Sequence, residues 1–286
     1  MASLTLPPDA SSTMEDLLFY AALAAGIALI GAFAGLMAGL LGIGGGVVIV
    51  PALYYIEGLI GVADVHRMHL AVGTSLAVIM LTAVTSVSTH WRMKAVDTKV
   101  LRTYGPGVIA GVLAGTLIAA FVKGAVLTAV FAAAAIAVSL NMLRGNRAFR
   151  LGDGAPGGAR AGALGLLTGA VSTMAGIGGG AMTVAILTLY SVPIHIAVGT
   201  ASAVGVLVSL PGAAGFVAIG WNVAELPPFS LGYVNLAAFA LLAPCAAAMA
   251  PIGARLAHRL PGRALAYVFA GFLGLAALNM LRDLLP

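Results

Sequence analysis

One element of the sequence occurs twice, and its chemistry lies in the backbone. Gly42-Ile43-Gly44-Gly45-Gly46 returns as Gly176-Ile177-Gly178-Gly179-Gly180. Four glycines in five residues break a helix and let a ligand approach the main chain closely. Residues from Val47 and from Ala181 onward then open new helices. The first N–H groups of such helices have no intrahelical partner and carry the positive end of the dipole. That end attracts an anion without a buried Lys or Arg. Gly44, Gly45, Gly46, Gly178, Gly179 and Gly180 are therefore the expected main-chain contacts to an anion. The competing reading is helix packing, to which Gly31, Gly35, Gly39 and Gly107, Gly111, Gly115 are spaced. A dinucleotide loop does not fit, because GxGxxG fails at Val47 and Ala181 and no Lys-Ser/Thr follows for a phosphate loop.

A second element recurs downstream. His69-Leu70-Ala71-Val72-Gly73-Thr74 returns as His195-Ile196-Ala197-Val198-Gly199-Thr200. The hydroxyls of Thr74, Ser75, Thr200 and Ser202 suit donation to an oxyanion. Against this, Ser and Thr in membrane helices often bond their own i−4 carbonyl or a neighbouring helix. His69 and His195 titrate near neutrality and suit anion or proton binding, with capping or interfacial anchoring as the alternative. Asn141 and Asn279 suit ligand contact or interhelical hydrogen bonding.

The absences narrow the chemistry. The nine Asp and Glu all read as loop or segment-end residues. No mid-span carboxylate is available to hold Na⁺ or carry a proton, which disfavours cation antiport. Paired-carboxylate catalysis and a zinc HExxH element are also missing, and Cys245 is the single cysteine. No enzyme activity, metal, cofactor or nucleic-acid partner is expected.

These residues are positioned by apolar spans. Hydrophobic residues make up 61% of the 286 and charged residues 8%, against about 25% charged in soluble domains. Apolar runs of about 20 residues each suffice to cross about 30 Å of hydrocarbon. The predicted fold is an all-α polytopic membrane protein. Its expected parts are a tail over 1–16, a transmembrane repeat over 17–143, a basic linker over 144–160 and a second repeat over 161–286. Each repeat is expected to hold a Gly-broken, re-entrant-like helix pair and three spanning helices. Runs Leu17–Ile56 and Ala161–Tyr190 contain the breaks, and the second divides into pieces of roughly 14 and 10 residues around its glycines. Four Lys/Arg lie in His90–Arg102 and none in its counterpart Gly220–Asn235, whereas Lys123 stands against Arg255, Arg259 and Arg263. Corresponding loops then face opposite sides. This is an inverted-topology repeat, common among secondary transporters. It places both termini outside the cytoplasm; the expected location is the bacterial inner membrane.

The doubled Gly-Ile-Gly-Gly-Gly elements, each followed by Ala-Val-Gly-Thr, resemble the sulfite exporter TauE/SafE family of membrane permeases, from about Leu17 to Leu285. The resemblance implies permeation of sulfite, organosulfonates or related sulfur oxyanions. The halves differ at Pro51/Ala185 and Ser75/Ala201, so the two sides of a pocket are not equivalent. The expected function is export of a small sulfur-containing anion by alternating access. An inside-negative potential drives a monovalent anion outward by about 2.3 kcal/mol per 100 mV, without a coupling ion. The rivals are an uptake permease or channel for the same anion, and a membrane assembly factor without substrate.

Overall fold

A computed structural model describes residues 10–41, 44–144, 152, 154–257 and 262–283. Residues 1–9 of the expected tail, 145–151 and 153 of the expected linker, Gly42, Ile43 and Arg259 lie outside the described residues. The helices are α1 Ala10–Leu41, α2 Gly46–Leu59, α3 Asp64–Arg92, α4 Thr98–Phe121, α5 Gly124–Arg144, α6 Gly158–Ala175, α7 Gly180–Leu189, α8 Ile194–Gly220, α9 Leu236–Ala257 and α10 Gly262–Arg282. A small antiparallel ribbon, β1 Ser230–Leu231 with β2 Val234–Asn235, precedes α9. Among the described residues six helices (α1, α3, α4, α5, α8 and α9) are long and apolar enough to cross a membrane. The chain is an all-α multi-pass membrane protein.

The first broken pair is uneven. α1 is one helix of 32 residues, and only α2, with 14, is short. In the second pair α6 has 18 residues and α7 has 10, so the piece before the glycines is longer than the roughly 14 expected. The reason is energetic. Single glycines at 26, 31, 35 and 39 cost a helix about 1 kcal/mol each, whereas opening backbone hydrogen bonds in lipid costs several. Only the clustered glycines end the helix.

The helices pair α1 with α9, α4 with α6, α3 with α8 and α5 with α10, while α2 lies on α3 and α7 on α8. Glycine contacts give the directions. Gly107, Gly111 and Gly115 of α4 abut Gly162, Leu166 and Ala170 of α6, so these two run parallel. Gly31 and Gly35 of α1 abut Leu242 and Ala246 of α9, also parallel. In contrast, Leu76 of α3 meets Gly212 of α8, Ala83 meets Gly205 and Ser86 meets Ser202, so α3 and α8 run antiparallel. α3 is the most buried span, and residues such as Leu29, Leu113, Leu117 and Phe121 face outward for lipid.

The connections sort to two ends. Lys94 and Asp97 meet Gly154, Ser191 and Pro193 at one end. At the other, the Asp64–Val65 backbone meets Gly124, and His66 meets Glu225 and Tyr233.

A Cβ at Gly111 would strike the Leu166 carbonyl, whereas one at Gly26 meets nothing within 4 Å. Gly111→Ala is expected to destabilise by about 1–3 kcal/mol through overpacking, lowering the melting temperature of the purified protein. Gly26→Ala is expected to leave it unchanged or slightly raised; equal effects at the two positions would contradict this packing.

Candidate functional site

The second glycine turn is a helix stop followed by a helix start. The Gly176 and Ile177 amides donate to the Thr173 and Ser172 carbonyls at 3.3 and 3.1 Å, which closes the end of α6. Gly176, Gly178 and Gly179 then take φ of 69°, 68° and 75°, which only glycine adopts without strain. α7 starts at Gly180, and its first hydrogen-bonded amide is Thr183, donating to Gly179 at 3.0 Å. The amides of Gly180, Ala181 and Met182 are thus left without intrahelical acceptors. In the first turn Gly44 has φ 77°, and Val48 and Ile49 donate to the Gly45 carbonyl.

The two turns meet inside the protein. Gly46 lies directly against the Gly176 carbonyl, and Ser75 Oγ donates to that same carbonyl at 2.9 Å. Ile79 covers Gly46 and Gly178, Val204 and Val208 cover Gly179, and Val50 and Val72 close on Gly176. Gly45, Gly46 and Gly178 to Gly180 are buried. The described conformation is therefore shut over the turns. A cavity of about 450 Å³ lined by Lys94, Asp97, Ser191 and Pro193 opens at one end, and one of about 360 Å³ lined by Tyr55, Asn279, Arg282 and Asp283 at the other. Neither is lined by a turn glycine.

The Gly-Thr elements hold loops here. Thr74 Oγ1 accepts from the Asn235 amide and Thr200 Oγ1 from the Asp97 amide, both at 2.9 Å. The neighbouring glycines make room for the same loops, Gly73 against the Tyr233 carbonyl and Gly199 against the Ala95 carbonyl. Asp97 and Asn235 in turn cap α4 and α9, accepting from the Lys99 and Val100 amides and from the Ala238 amide. Each Thr thus fixes the start of a helix that packs both on the helix carrying that Thr and on the first helix of a broken pair, α9 on α3 and α1 and α4 on α8 and α6.

The other expected residues are scattered. Ser202 donates to the Val198 carbonyl at 3.0 Å and pairs with Ser86, the i−4 pattern of a membrane serine. His69 is buried, donates through Nε2 to the Ala119 carbonyl at 3.0 Å and stacks on Tyr233 at 4.9 Å. His195 is exposed. Asn141 is half-buried near the end of α5, and Asn279 is exposed on α10. Of the expected side chains, only Ser75 reaches a turn through a hydrogen bond.

Sequence reasoning missed Glu57. It stands at the end of α2, as a segment-end residue should, yet it is 3% exposed and neither carboxyl oxygen has a hydrogen-bond partner. Arg67, on α3, packs beside the neighbouring Gly58 and pairs with Asp64. The apolar residues at 79, 204 and 208 that shut the turns were also missed, because Ile and Val on a membrane helix read as packing.

If the Thr hydroxyls are structural, Thr74→Val and Thr200→Val are each expected to lower stability by about 1–3 kcal/mol, since each leaves a loop amide unpaired. Thr→Ser at either site should recover most of it. Thermal unfolding of the purified variants measures this, and unchanged melting of both Val variants would contradict the assignment.

Comparisons with known proteins agree with one another. The family model described as Sulfite exporter TauE/SafE matches residues 27–280. A probable membrane transporter protein of Haemophilus influenzae is 31% identical over 252 residues, covering 88% of this chain and 96% of the relative. A probable membrane transporter protein of Methanocaldococcus jannaschii is 26% identical over 254 residues, covering 88% and 93%. The probable membrane transporter protein YunE of Bacillus subtilis is 34% identical over 89 residues, covering 30% and 33%. No solved structure matches the chain.

Proposed function

We propose, from the premise that the chain belongs to the sulfite exporter TauE/SafE family, that it exports a small sulfur-containing anion across the inner membrane by alternating access. Sulfite and short organosulfonates are the substrate class. The observation that carries this reading is the meeting of two glycine-broken helices in the protein interior, Gly46 against the Gly176 carbonyl. Their half-helix amides supply positive potential where the chain offers no cationic side chain. Unwound backbone at that depth belongs where a cavity forms.

Alternating access needs two bodies that rock about a shared site. The antiparallel run of α3 and α8 supports an inverted relation between repeats over 17–143 and 161–286. So does the exchange by which the first helix of each repeat packs on the fourth of the other, α1 on α9 and α6 on α4. The shut turns correspond to an occluded state, in which Ser75 holds the Gly176 carbonyl until the turns part. The grouping of Lys94, the end of the linker and the α7–α8 connection at one end supports placing that end in the cytoplasm, with both termini outside.

A second reading differs only in the driving force. Glu57 is the one acidic side chain buried among the described residues, and it is the group a proton-coupled cycle would use.

A thermal-shift screen against sulfite, sulfate, thiosulfate, taurine, isethionate and sulfoacetate tests the substrate class. At least one is expected to stabilise the protein by mass action, and a flat response to all six would reject the anion reading. Efflux of labelled sulfite from sealed vesicles is expected to rise with an imposed inside-negative potential. Efflux that ignores potential, follows a proton gradient and loses that dependence in Glu57→Gln would favour proton coupling.

A further inference from the structure

Buried hydroxyl groups gather on one side of the glycine turns. Thr173 lies three residues before Gly176 and Thr183 three residues after Gly180, so they flank the second turn on the last turn of α6 and the first of α7. Both are fully buried, and neither hydroxyl has a hydrogen-bond partner. Ser209 of α8 is likewise fully buried and unpartnered. It lies one helical turn before Gly212, where a Cβ would come 3.5 Å from the Thr173 methyl. The residue before it, Val208, rests on Gly179. The group nearest to bonding the Thr183 hydroxyl is the Tyr104 phenol of α4, which is itself fully buried and already bonded to Thr168.

Membrane Ser and Thr ordinarily satisfy their hydroxyls on the i−4 carbonyl. Other threonines here do: Thr128 bonds the Gly124 carbonyl and Thr188 the Val184 carbonyl. Two unpaired hydroxyls beside one turn, with a third whose one neighbour is a phenol already bonded to Thr168, therefore call for a use. Among the described residues the first turn has no such group. Counting from the glycine turns, the positions matching Thr173 and Thr183 are Gly39 and Ile49; counting from the His69 and His195 elements, Ser209 matches Ala83; and counting from Pro106 and Pro244, Tyr104 matches Leu242. The backbone device is doubled, but the hydroxyls are single-sided.

We propose that Thr173, Thr183 and Ser209, with Tyr104 behind them, form the oxyanion-binding wall of the transport site, next to the free amides of α7. The ligand class is a compact, singly charged sulfur oxyanion whose several oxygens each accept from a rotatable hydroxyl. Hydroxyls in a low-dielectric pocket bind such an ion firmly, and without a fixed cation they leave it free to depart. The anion is held by the second repeat, and the apolar first turn seals it. This inference rests on the transporter reading and adds which side chains recognise the anion.

The test uses the purified full-length protein in lipid nanodiscs, with thermal unfolding followed over a sulfite titration. Thr173→Val, Thr183→Val and Ser209→Ala remove the hydroxyls with little change of shape. Because the groups are unpaired, ligand-free melting is expected to stay level or rise. The sulfite concentration for half-maximal stabilisation should rise about tenfold for each hydroxyl lost. Lowered ligand-free melting in all three variants would show that the hydroxyls are structural and would overturn the proposal. An unaltered sulfite response in the variants would overturn it too, while leaving the transporter reading in place. A wild-type protein stabilised by none of sulfite, sulfate, thiosulfate, taurine, isethionate or sulfoacetate would remove both.

Discussion

The contact on which the molecule turns is backbone against backbone: Gly46 at the head of α2 pressed on the Gly176 carbonyl at the foot of α6. No side chain larger than hydrogen fits there. Everything nearby is arranged around that approach. α2 and α7 are short because each begins at a turn in the interior, and α3 and α8 lie beside them, bringing Ser75, Ile79, Val204 and Val208 over the turns. Lipid would not tolerate main chain unwound in this way; protein packed on all sides does.

The Gly-Thr elements show how the frame around that contact is kept. Gly73 and Gly199 admit a loop carbonyl, and Thr74 and Thr200 take the loop amide two residues on. The loops so held begin α9 and α4. Each central helix therefore sets the starting point of the other repeat's fourth helix, which packs on the first helix of the central helix's own repeat. A movement of α3 against α8 would carry these outer helices along, which is the mechanical coupling a rocking transporter needs.

The membrane class and the long spans were legible because 18-residue apolar windows leave few alternatives. The glycine turns were legible because clustered glycines cannot be helix interior. The roles of Thr74 and Thr200 were not, since the backbone amides that donate to them lie at 235 and 97, far along the chain. Glu57 read as a solvated segment end because burial depends on α3 and α10, which pack on α2. Nothing in the sequence sets Thr173, Thr183 and Ser209 apart from other membrane hydroxyls; only hydrogen bonding in three dimensions separates them from those that bond their own helix.

The central claim is that the turns part to admit a negative ion. An experimental structure of the protein in lipid with saturating sulfite tests this most directly. The account predicts density for the ion between Gly46 and Gly176, with the Ser75 bond to the Gly176 carbonyl broken. Turns still in contact, with the ion bound elsewhere, would contradict it.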